Sequence, residues 1–279
     1  MTDANHILYR SEFPRSNSYD PNWVMDNQMG PNALWLIEWL CREMDLKPGM
    51  RVLDLGCGTA MTSIFLAREF DVRVWAADLW VNPDANWERV RGAGVGDRVC
   101  PLRAEAHALP FAKDFFDAAV SVDAYQYFGT DELYLGYLSH FVRPQGTIGI
   151  VVPGLMRPFK EGIPQHLTRK QSNGHSFWED DCISFLTMQR WRDLWERSNR
   201  VEVAAADEMP DGWKHWRDFE NELERAGKNH PFPSVVETLD VDQGQYIGFV
   251  RLVGIRNDRS GAANLYDPAS IAQLVSGTG

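Results

Sequence analysis

Two aspartates and a glycine turn between them are the residues best suited to hold a ligand. Asp54 lies within the hydrophobic segment that leads into the stretch VLDLGCGTA, and Asp78 closes the next hydrophobic segment. Glycine at positions 56 and 58 lets the backbone turn tightly and approach a ligand closely. The helix expected after the turn would offer free N–H groups at its N-terminus. The pattern predicts a site for a nucleotide-type cofactor.

The residues around the turn narrow the choice of cofactor. A dinucleotide fingerprint would place a glycine or alanine at position 61, where this chain has Met61, and no lysine follows the glycines as a Walker phosphate loop requires. A carboxylate at Asp54 is costly to bury unless it faces a cationic group. Asp78 is placed to accept hydrogen bonds from a ribose diol. Together, Asp54 and Asp78 favour a cofactor that carries both a cationic group and a ribose.

Four longer motifs together point to one family. Over about residues 48–153 the chain resembles the class I S-adenosylmethionine-dependent methyltransferases, above all their small-molecule, quinone methyltransferase-like branch. The motifs are VLDLGCGTA, VWAADL, AEAHALPFAKDFFDAAVSVDAYQYF and LSHFVRPQGTIGIVVP.

The resemblance implies a role for each residue at the expected site. The amino acid end of S-adenosylmethionine would lie at Asp54 and the turn, its ribose at Asp78, and its sulfonium near Asp123. Two positions depart from the family pattern: Ala60 replaces a frequent third glycine, and Glu105 is one methylene longer than the usual aspartate near the adenine. The implied cofactor-binding residues are Asp54, Gly56, Cys57, Gly58, Asp78, Leu79, Glu105, Ala106 and Asp123.

The elements that must position these residues alternate between strand and helix. Short apolar strands are predicted at 51–55, 72–78, 98–104, 117–124 and 147–153, with helices at 59–70, 84–94 and 130–142. Continuously apolar strands are typical of a sheet covered on both faces. We therefore expect an α/β fold, a doubly wound and mostly parallel Rossmann-like sheet with an N-terminal helical arm and a cap inserted after the fifth strand.

The chain divides into four segments on this interpretation. Residues 1–47 form an irregular arm over 1–30 and a helix from Pro31 to Met44, and together they act as a lid. Residues 48–153 are the cofactor-binding core. Residues 154–256 supply a substrate loop, two cap helices at 184–199 and 211–227, and the last two strands at 200–209 and 245–256. Residues 257–279 are a tail.

Candidates for catalysis follow the fourth strand or lie in the long loop. Tyr125 and Asp123 come at the strand's carboxyl end, where ligands bind in such sheets, and His175 lies in the loop 154–182. A histidine in a polar loop is more often merely solvated, and a tryptophan stripe like that of the second cap helix is more often core packing than a pocket. Further candidates for the acceptor side are Tyr127, Glu161, His166, Trp178, Trp213, His215, Trp216 and His230.

Charge and composition restrict the partners. The net charge is −11 with no run of Lys and Arg, which disfavours nucleic acid. The sequence shows no signal peptide and no stretch of the roughly 20 apolar residues that cross a bilayer. No C-x-x-C pair suggests a metal site or a disulfide framework. We expect a cytoplasmic protein with a small-molecule partner, no metal and no membrane insertion, and its oligomeric state is left open.

These features predict transfer of a methyl group from S-adenosylmethionine to a small-molecule acceptor by in-line displacement, leaving S-adenosylhomocysteine. Three alternatives stay open. One is a nucleotide-linked oxidoreductase, which Met61 and Asp54 disfavour. Another is a non-catalytic S-adenosylmethionine-binding protein. The third is a cyclopropane synthase-like C-methyl transfer to an alkene, which a tryptophan-rich cap would suit.

Overall fold

A central sheet organises the chain. The structure is a computed structural model that describes residues 8–228 and 232–257, and within them the sheet has seven strands in the order β3-β2-β1-β4-β5-β7-β6. The first five strands pair in parallel, whereas β7 runs antiparallel to both β5 and β6. The strands are β1 Arg51–Leu55, β2 Arg73–Asp78, β3 Val99–Arg103, β4 Phe116–Val122, β5 Val142–Leu155, β6 Val201–Glu208 and β7 Ile247–Arg256. This confirms the predicted doubly wound, mostly parallel fold.

Helices cover both faces of the sheet. None of those in the described ranges is long and apolar enough to cross a membrane. The helices are α1 Pro21–Asn27, α2 Ala33–Cys41, α3 Met61–Phe70, α4 Pro83–Gly92, α5 Tyr134–Phe141, α6 Gln165–Thr168, α7 Met188–Ser198, α8 Gly212–Arg225 and α9 Val236–Asp242.

The sheet separates two hydrophobic cores. Val52 belongs to the core that includes α2 and α3, whereas its neighbour Leu53 belongs to the core that includes α5 and α7. Both side chains are fully buried. Because successive residues of a strand point to opposite faces, an uninterrupted apolar strand fills both cores at once. The carboxyl ends of the parallel strands are thereby held at one rigid edge.

Several element boundaries differ from the sequence predictions; α5, for example, begins at Tyr134 rather than 130, and α7 at Met188 rather than 184. The first long helix begins at Ala33 rather than Pro31, because Asn32 caps it by accepting a hydrogen bond from Leu34 N at 3.1 Å. The arm over 1–30 is not irregular throughout: Asp20 caps helix α1, which lies within it. Strand β5 begins five residues before the predicted 147, where its proline and glycine resemble a turn in the sequence.

The N-terminal arm is anchored through one buried carboxylate. Glu38 on α2 accepts hydrogen bonds from Arg15 N at 3.0 Å and from both Ser16 N and Ser16 Oγ, at 2.7 and 2.6 Å. Phe13 stacks on Trp35 with ring centroids 5.8 Å apart. The described part of the arm is therefore packed as part of the domain.

Candidate functional site

A cavity of about 300 Å³ lies at the carboxyl ends of β1, β2 and β4 and beside the segment that follows β3. The strand order reverses between β1 and β4, which is the point of an open α/β sheet where ligands bind. Eight of the nine predicted cofactor-binding residues line the cavity: Gly56, Cys57, Gly58, Asp78, Leu79, Glu105, Ala106 and Asp123.

The glycine turn brings the backbone close to its neighbours. Gly56 has a φ of +73°, and a Cβ there would lie 2.4 Å from the Cβ of Ala124. Ala60, in place of the family's frequent glycine, adopts a φ of +63° and is fully buried. It precedes α3 and has no side chain that can cap the helix. The first N–H groups of α3, beside the cavity-lining Met61 and Thr62, are thus available to a ligand.

Asp54 is fully buried beneath the turn and is not among the residues that line the cavity. Its Oδ2 accepts hydrogen bonds from Thr62 Oγ1 at 2.6 Å and from Ser63 Oγ at 2.5 Å, whereas Oδ1 has no partner among the described residues. Burial raises the pKa of Asp54 to about 6, although the two hydroxyls oppose the shift. The carboxylate therefore sits one layer below the position that the sequence predicted, with one oxygen left for a cationic or N–H partner.

Asp78 organises the turn after β2 through three backbone groups. Its Oδ2 accepts from Gly58 N, and its Oδ1 accepts from Trp80 N and Val81 N, all at 2.8 Å. A carboxylate offers about four acceptor positions, so one remains for a hydroxyl. Leu79 and Trp80 continue the wall of the cavity with exposed side chains, at 48% and 66% exposure.

Glu105 and its neighbours form the wall beyond β3. The carboxylate of Glu105 accepts from His107 N at 2.9 Å and lies 2.8 Å from His107 Nδ1. Ala106 follows it in the wall, and its carbonyl accepts from Tyr134 Oη at 3.0 Å. Glu105 is thus held in place by the loop that carries it.

Asp123 stands at the end of β4 with a left-handed backbone, φ +54°. Its Oδ1 lies 3.4 Å from Gln126 Nε2, and its Oδ2 faces Gly30, where a Cβ would come within 2.8 Å. Burial raises the pKa of Asp123 to about 7; the carboxylate of Glu220 adds to the rise and the Gln126 hydrogen bond opposes it. A carboxyl group that titrates near neutral pH can exchange a proton with a ligand.

The end of the N-terminal arm covers the glycine turn. Thr59 Oγ1 donates to the carbonyl of Asn27, whose side chain accepts from Arg89 Nε at 2.8 Å. A Cβ on Gly58 would lie 3.0 Å from Met29 Sδ. Asn27, Met29, Pro31 and Ala33 all line the cavity. The arm thus lies where the predicted lid would be, and its opening or closing stays a prediction.

A second cavity of about 140 Å³ adjoins the first and shares Asp123 and Tyr127 with it. Its walls come from the end of the arm, the segment 176–185, α8 and the segment around Phe232. Two of the three catalytic candidates do not reach either cavity. Tyr125 is fully buried against Trp191 and Trp195, where burial raises its pKa, so the geometry does not favour it as a proton acceptor.

Those predicted histidines that the structure describes line neither cavity. The side chain of His175 is 55% exposed on the surface, 3.9 Å from Glu179 Oε1. His166 Nε2 lies 2.8 Å from Oδ1 of the buried Asp242. His215 is buried between the rings of Phe13 and Trp35. His230 lies outside the described residues.

The remaining acceptor candidates divide between core and cavity. Trp216 is buried against Phe249 and also lines the second cavity, and Tyr127 lines both. Trp178 packs on Phe159, and Trp178, Trp213 and Glu161 line neither of these two cavities. Sequence reasoning missed several wall residues: Met29, Trp80, His107, Gln126, Phe128, Asp181 and Glu220. Trp80 had a signal, since it follows Asp78 closely, whereas Glu220 looks like any acidic residue of an amphipathic helix.

Comparisons with known proteins agree with this geometry. Residues 52–146 match a family model described as a methyltransferase domain. Methyltransferase GfsG of Streptomyces halstedii is 29% identical over 151 residues, which are 54% of this chain and 51% of that protein. The chain therefore spans about half the length of this curated relative.

Solved structures share the fold. A putative sarcosine dimethylglycine methyltransferase from Galdieria sulphuraria has a TM-score of 0.61 at 19% identity, covering 80% of this chain and 86% of that one. Phosphoethanolamine N-methyltransferase 2 of Haemonchus contortus, solved with S-adenosyl-L-methionine, has a TM-score of 0.64 at 16% identity, covering 92% and 61%. These findings support a class I S-adenosylmethionine-dependent methyltransferase domain in this chain, over the residues that the family model matches. Its place in the quinone methyltransferase-like branch stays a prediction.

Proposed function

We propose that this protein transfers a methyl group from S-adenosylmethionine to a small-molecule acceptor. The observation that carries the proposal is the pair of adjoining cavities. The larger is bordered by the glycine turn and Asp78, the smaller is enclosed by the cap, and Asp123 and Tyr127 border both. A protein that only binds the cofactor has no need of the second cavity, which disfavours the non-catalytic alternative.

The residues present fit S-adenosylmethionine. The uncapped start of α3 supplies N–H donors for the amino acid end, and Asp54 lies one layer beneath it, outside the residues that line the cavity. Asp78 keeps one acceptor position for a ribose hydroxyl. Leu79 and Ala106 offer apolar surface to an adenine, and Glu105 a carboxylate for its amino group.

When bound, S-adenosylmethionine supplies an activated methyl group on a sulfonium. The chain's own contribution is alignment, which in general can lower a barrier by ~7–11 kcal/mol. Trp80 and Tyr127, whose ring centroids lie 6.2 Å apart, place aromatic faces at the cavity, and such faces attract cations. Asp123 is the candidate proton acceptor at the border of the two cavities.

Ligand-dependent thermal unfolding tests which cofactor the protein binds. At 100 times its Kd, S-adenosylhomocysteine should stabilise the fold by about 2.7 kcal/mol, a rise of roughly 5–10 °C in Tm. Asp78→Ala should lose most of this rise. Since Asp78 also holds the turn, Trp80→Ala at an exposed position is the milder variant, and Asp97→Asn, exposed and outside the cavity, is the control. A shift with NAD and none with S-adenosylmethionine or S-adenosylhomocysteine would refute the cofactor.

Methyl transfer itself needs a separate measurement. Radiolabelled S-adenosylmethionine incubated with the protein and a panel of small acceptors should yield labelled product in proportion to enzyme. Tight cofactor binding without label transfer to any acceptor would favour the non-catalytic binding protein instead.

A further inference from the structure

The smaller cavity, called here the acceptor cavity, is lined by four carboxylates. Asp123 lies where it meets the larger cavity, Glu220 is buried on α8, and Glu179 and Asp181 stand at its exposed edge. Among the described residues that line it there is no Lys, Arg or His. Such a lining repels phosphate and carboxylate groups and attracts a cation.

Five further side chains of the acceptor cavity are aromatic. Phe177 and Trp216 meet edge to face with centroids 5.8 Å apart, and the remaining rings are those of Tyr127, Phe185 and Phe232. The negative face of an aromatic ring attracts an ammonium group within about 6 Å, more strongly where water is excluded. The acceptor cavity thus has carboxylates at both ends, where it meets the larger cavity and at its exposed edge, and aromatic rings between them. This combination selects organic cations.

One buried polar group in this cavity has no protein partner. Gln126 is 1% exposed and lines the acceptor cavity, and its amide oxygen Oε1 has no hydrogen-bond partner in the described part of the chain. An unsatisfied buried acceptor is costly, so a ligand that donates a hydrogen bond here would relieve that cost. A protonated or neutral amine is such a donor, whereas an alkene is not.

The size of the cavity disfavours the third alternative, cyclopropane synthase-like transfer to an alkene. A space of about 140 Å³ holds a compact group of a few non-hydrogen atoms rather than a long acyl chain. Its carboxylates also disfavour a purely hydrocarbon occupant, because filling the cavity with one would desolvate them without a partner.

We infer that the acceptor is a small organic amine, methylated on nitrogen in the acceptor cavity; this rests on the proposed function. An amine that enters as an ammonium ion first loses an N–H proton, which Asp123 is placed to accept, because only the neutral amine has a lone pair. That lone pair then forms the new bond to the methyl carbon while the carbon–sulfur bond breaks and its electron pair goes to sulfur. The product leaves as an ammonium ion, which is quaternary where the acceptor was a tertiary amine, and Asp123 returns its proton to water.

Binding without cofactor tests the inference independently of methyl transfer. The probes are choline and its uncharged isostere 3,3-dimethylbutan-1-ol, with benzylamine and benzyl alcohol as a second pair, measured by titration calorimetry. We expect each cation to bind at least about tenfold more tightly than its neutral partner. Equal affinity within both pairs, or no measurable binding of either cation, overturns the inference.

Variants at the exposed edge of the cavity provide the matched test. Glu179→Gln with Asp181→Asn should weaken choline binding about fivefold and leave the neutral isostere unchanged. Asp180→Asn is the control, since Asp180 lies in the same short helix, is exposed and does not line the cavity. Unchanged cation binding in the double variant would contradict the role of these carboxylates.

The two proposals fail in different ways. If S-adenosylhomocysteine stabilises the protein and labelled methyl groups reach a neutral or anionic acceptor but no amine, the amine inference is wrong and the proposed function holds. If cations bind but S-adenosylmethionine does not, the proposed function fails and the cation site remains.

Discussion

At the scale of single residues, burial sets the state of the site's carboxylates. Asp54 and Asp123 both have raised pKa values, to about 6 and about 7, because the charged form is poorly solvated where each lies. Asp78 differs in that backbone N–H groups surround its carboxylate. The same residue type is thus adapted to three tasks by its surroundings.

The raised pKa of Asp54 predicts how stability changes with pH. Above its ordinary value of 3.8 the unfolded chain gives up the proton first, so stability falls between about pH 4 and pH 6 and then levels off. A shift of about two units corresponds to roughly 3 kcal/mol. Asp54→Asn should remove this slope, measured as the wild-type minus variant difference in unfolding free energy by urea at pH 4.5, 5.5, 6.5 and 7.5. A pH-independent difference would contradict the assignment.

The meeting of the expected cofactor-binding residues at one edge of the sheet could be predicted, because it follows from the order of the strands along the chain. Asp78 and Asp123 end parallel strands, and parallel strands bring their carboxyl ends to one edge. The catalytic candidates Tyr125 and His175 could not be chosen this way. Which face a residue takes after a strand ends depends on a short 3₁₀ helix, and a loop of about thirty residues has no periodicity to indicate which side chains point inward.

At the scale of elements, the backbone of the glycine turn is in close contact with two other segments of the chain. Gly56 abuts the segment after β4, and Gly58 abuts the end of the arm. The first contact is with a short, immobile side chain, whereas the second is with the flexible end of Met29. The two glycines should therefore respond differently to substitution.

Gly56→Ala should destabilise the protein by about 2–4 kcal/mol, because its Cβ would overlap Ala124 and its φ is left-handed. Gly58→Ala should cost about 1 kcal/mol, since Met29 can move aside. Guanidinium unfolding measures both, and Gly58→Ala combined with Met29→Ala tests whether the two sites are coupled. Equal costs at the two glycines would contradict this account of the turn.

The arm provides the next prediction at this scale. Glu38→Ala would leave the backbone N–H groups of Arg15 and the buried Ser16 without their acceptor, which should cost about 2–4 kcal/mol. The Ser16 hydroxyl would keep the carbonyl of Leu34, 3.0 Å away. Urea unfolding measures the loss, and limited proteolysis should cut faster near residues 13–20. Glu88→Ala, which removes only an exposed pair with Arg91, is the control and should cost less than about 1 kcal/mol. Similar losses in both variants would show that Glu38 does not anchor the arm.

At the scale of the whole molecule, the sequence predicted the doubly wound, mostly parallel sheet better than it predicted the cavity that the sheet and the cap enclose. Alternating apolar strands and helices determine a doubly wound sheet. The acceptor cavity is assembled from the arm, the segment 176–185 and α8, which are far apart in sequence. Their meeting depends on tertiary packing that no local pattern records, which is why Glu220 and Gln126 were missed.

The charge of the whole molecule predicts how salt changes the protein's affinity for S-adenosylmethionine and for S-adenosylhomocysteine. The net charge is −11, and the described residues that line the larger cavity include three carboxylates and no Lys or Arg. S-adenosylmethionine carries one more positive charge than S-adenosylhomocysteine, so only its attraction to this field should be screened by salt. Between 50 and 500 mM NaCl we expect its Kd to rise about two- to fivefold more than that of S-adenosylhomocysteine.

Calorimetric titration of both ligands at both salt concentrations measures the ratio, and the shared adenosine and amino acid groups serve as the internal control. An equal response of the two ligands would mean that the sulfonium lies outside the reach of these carboxylates, which would contradict the position proposed for it beside Asp123.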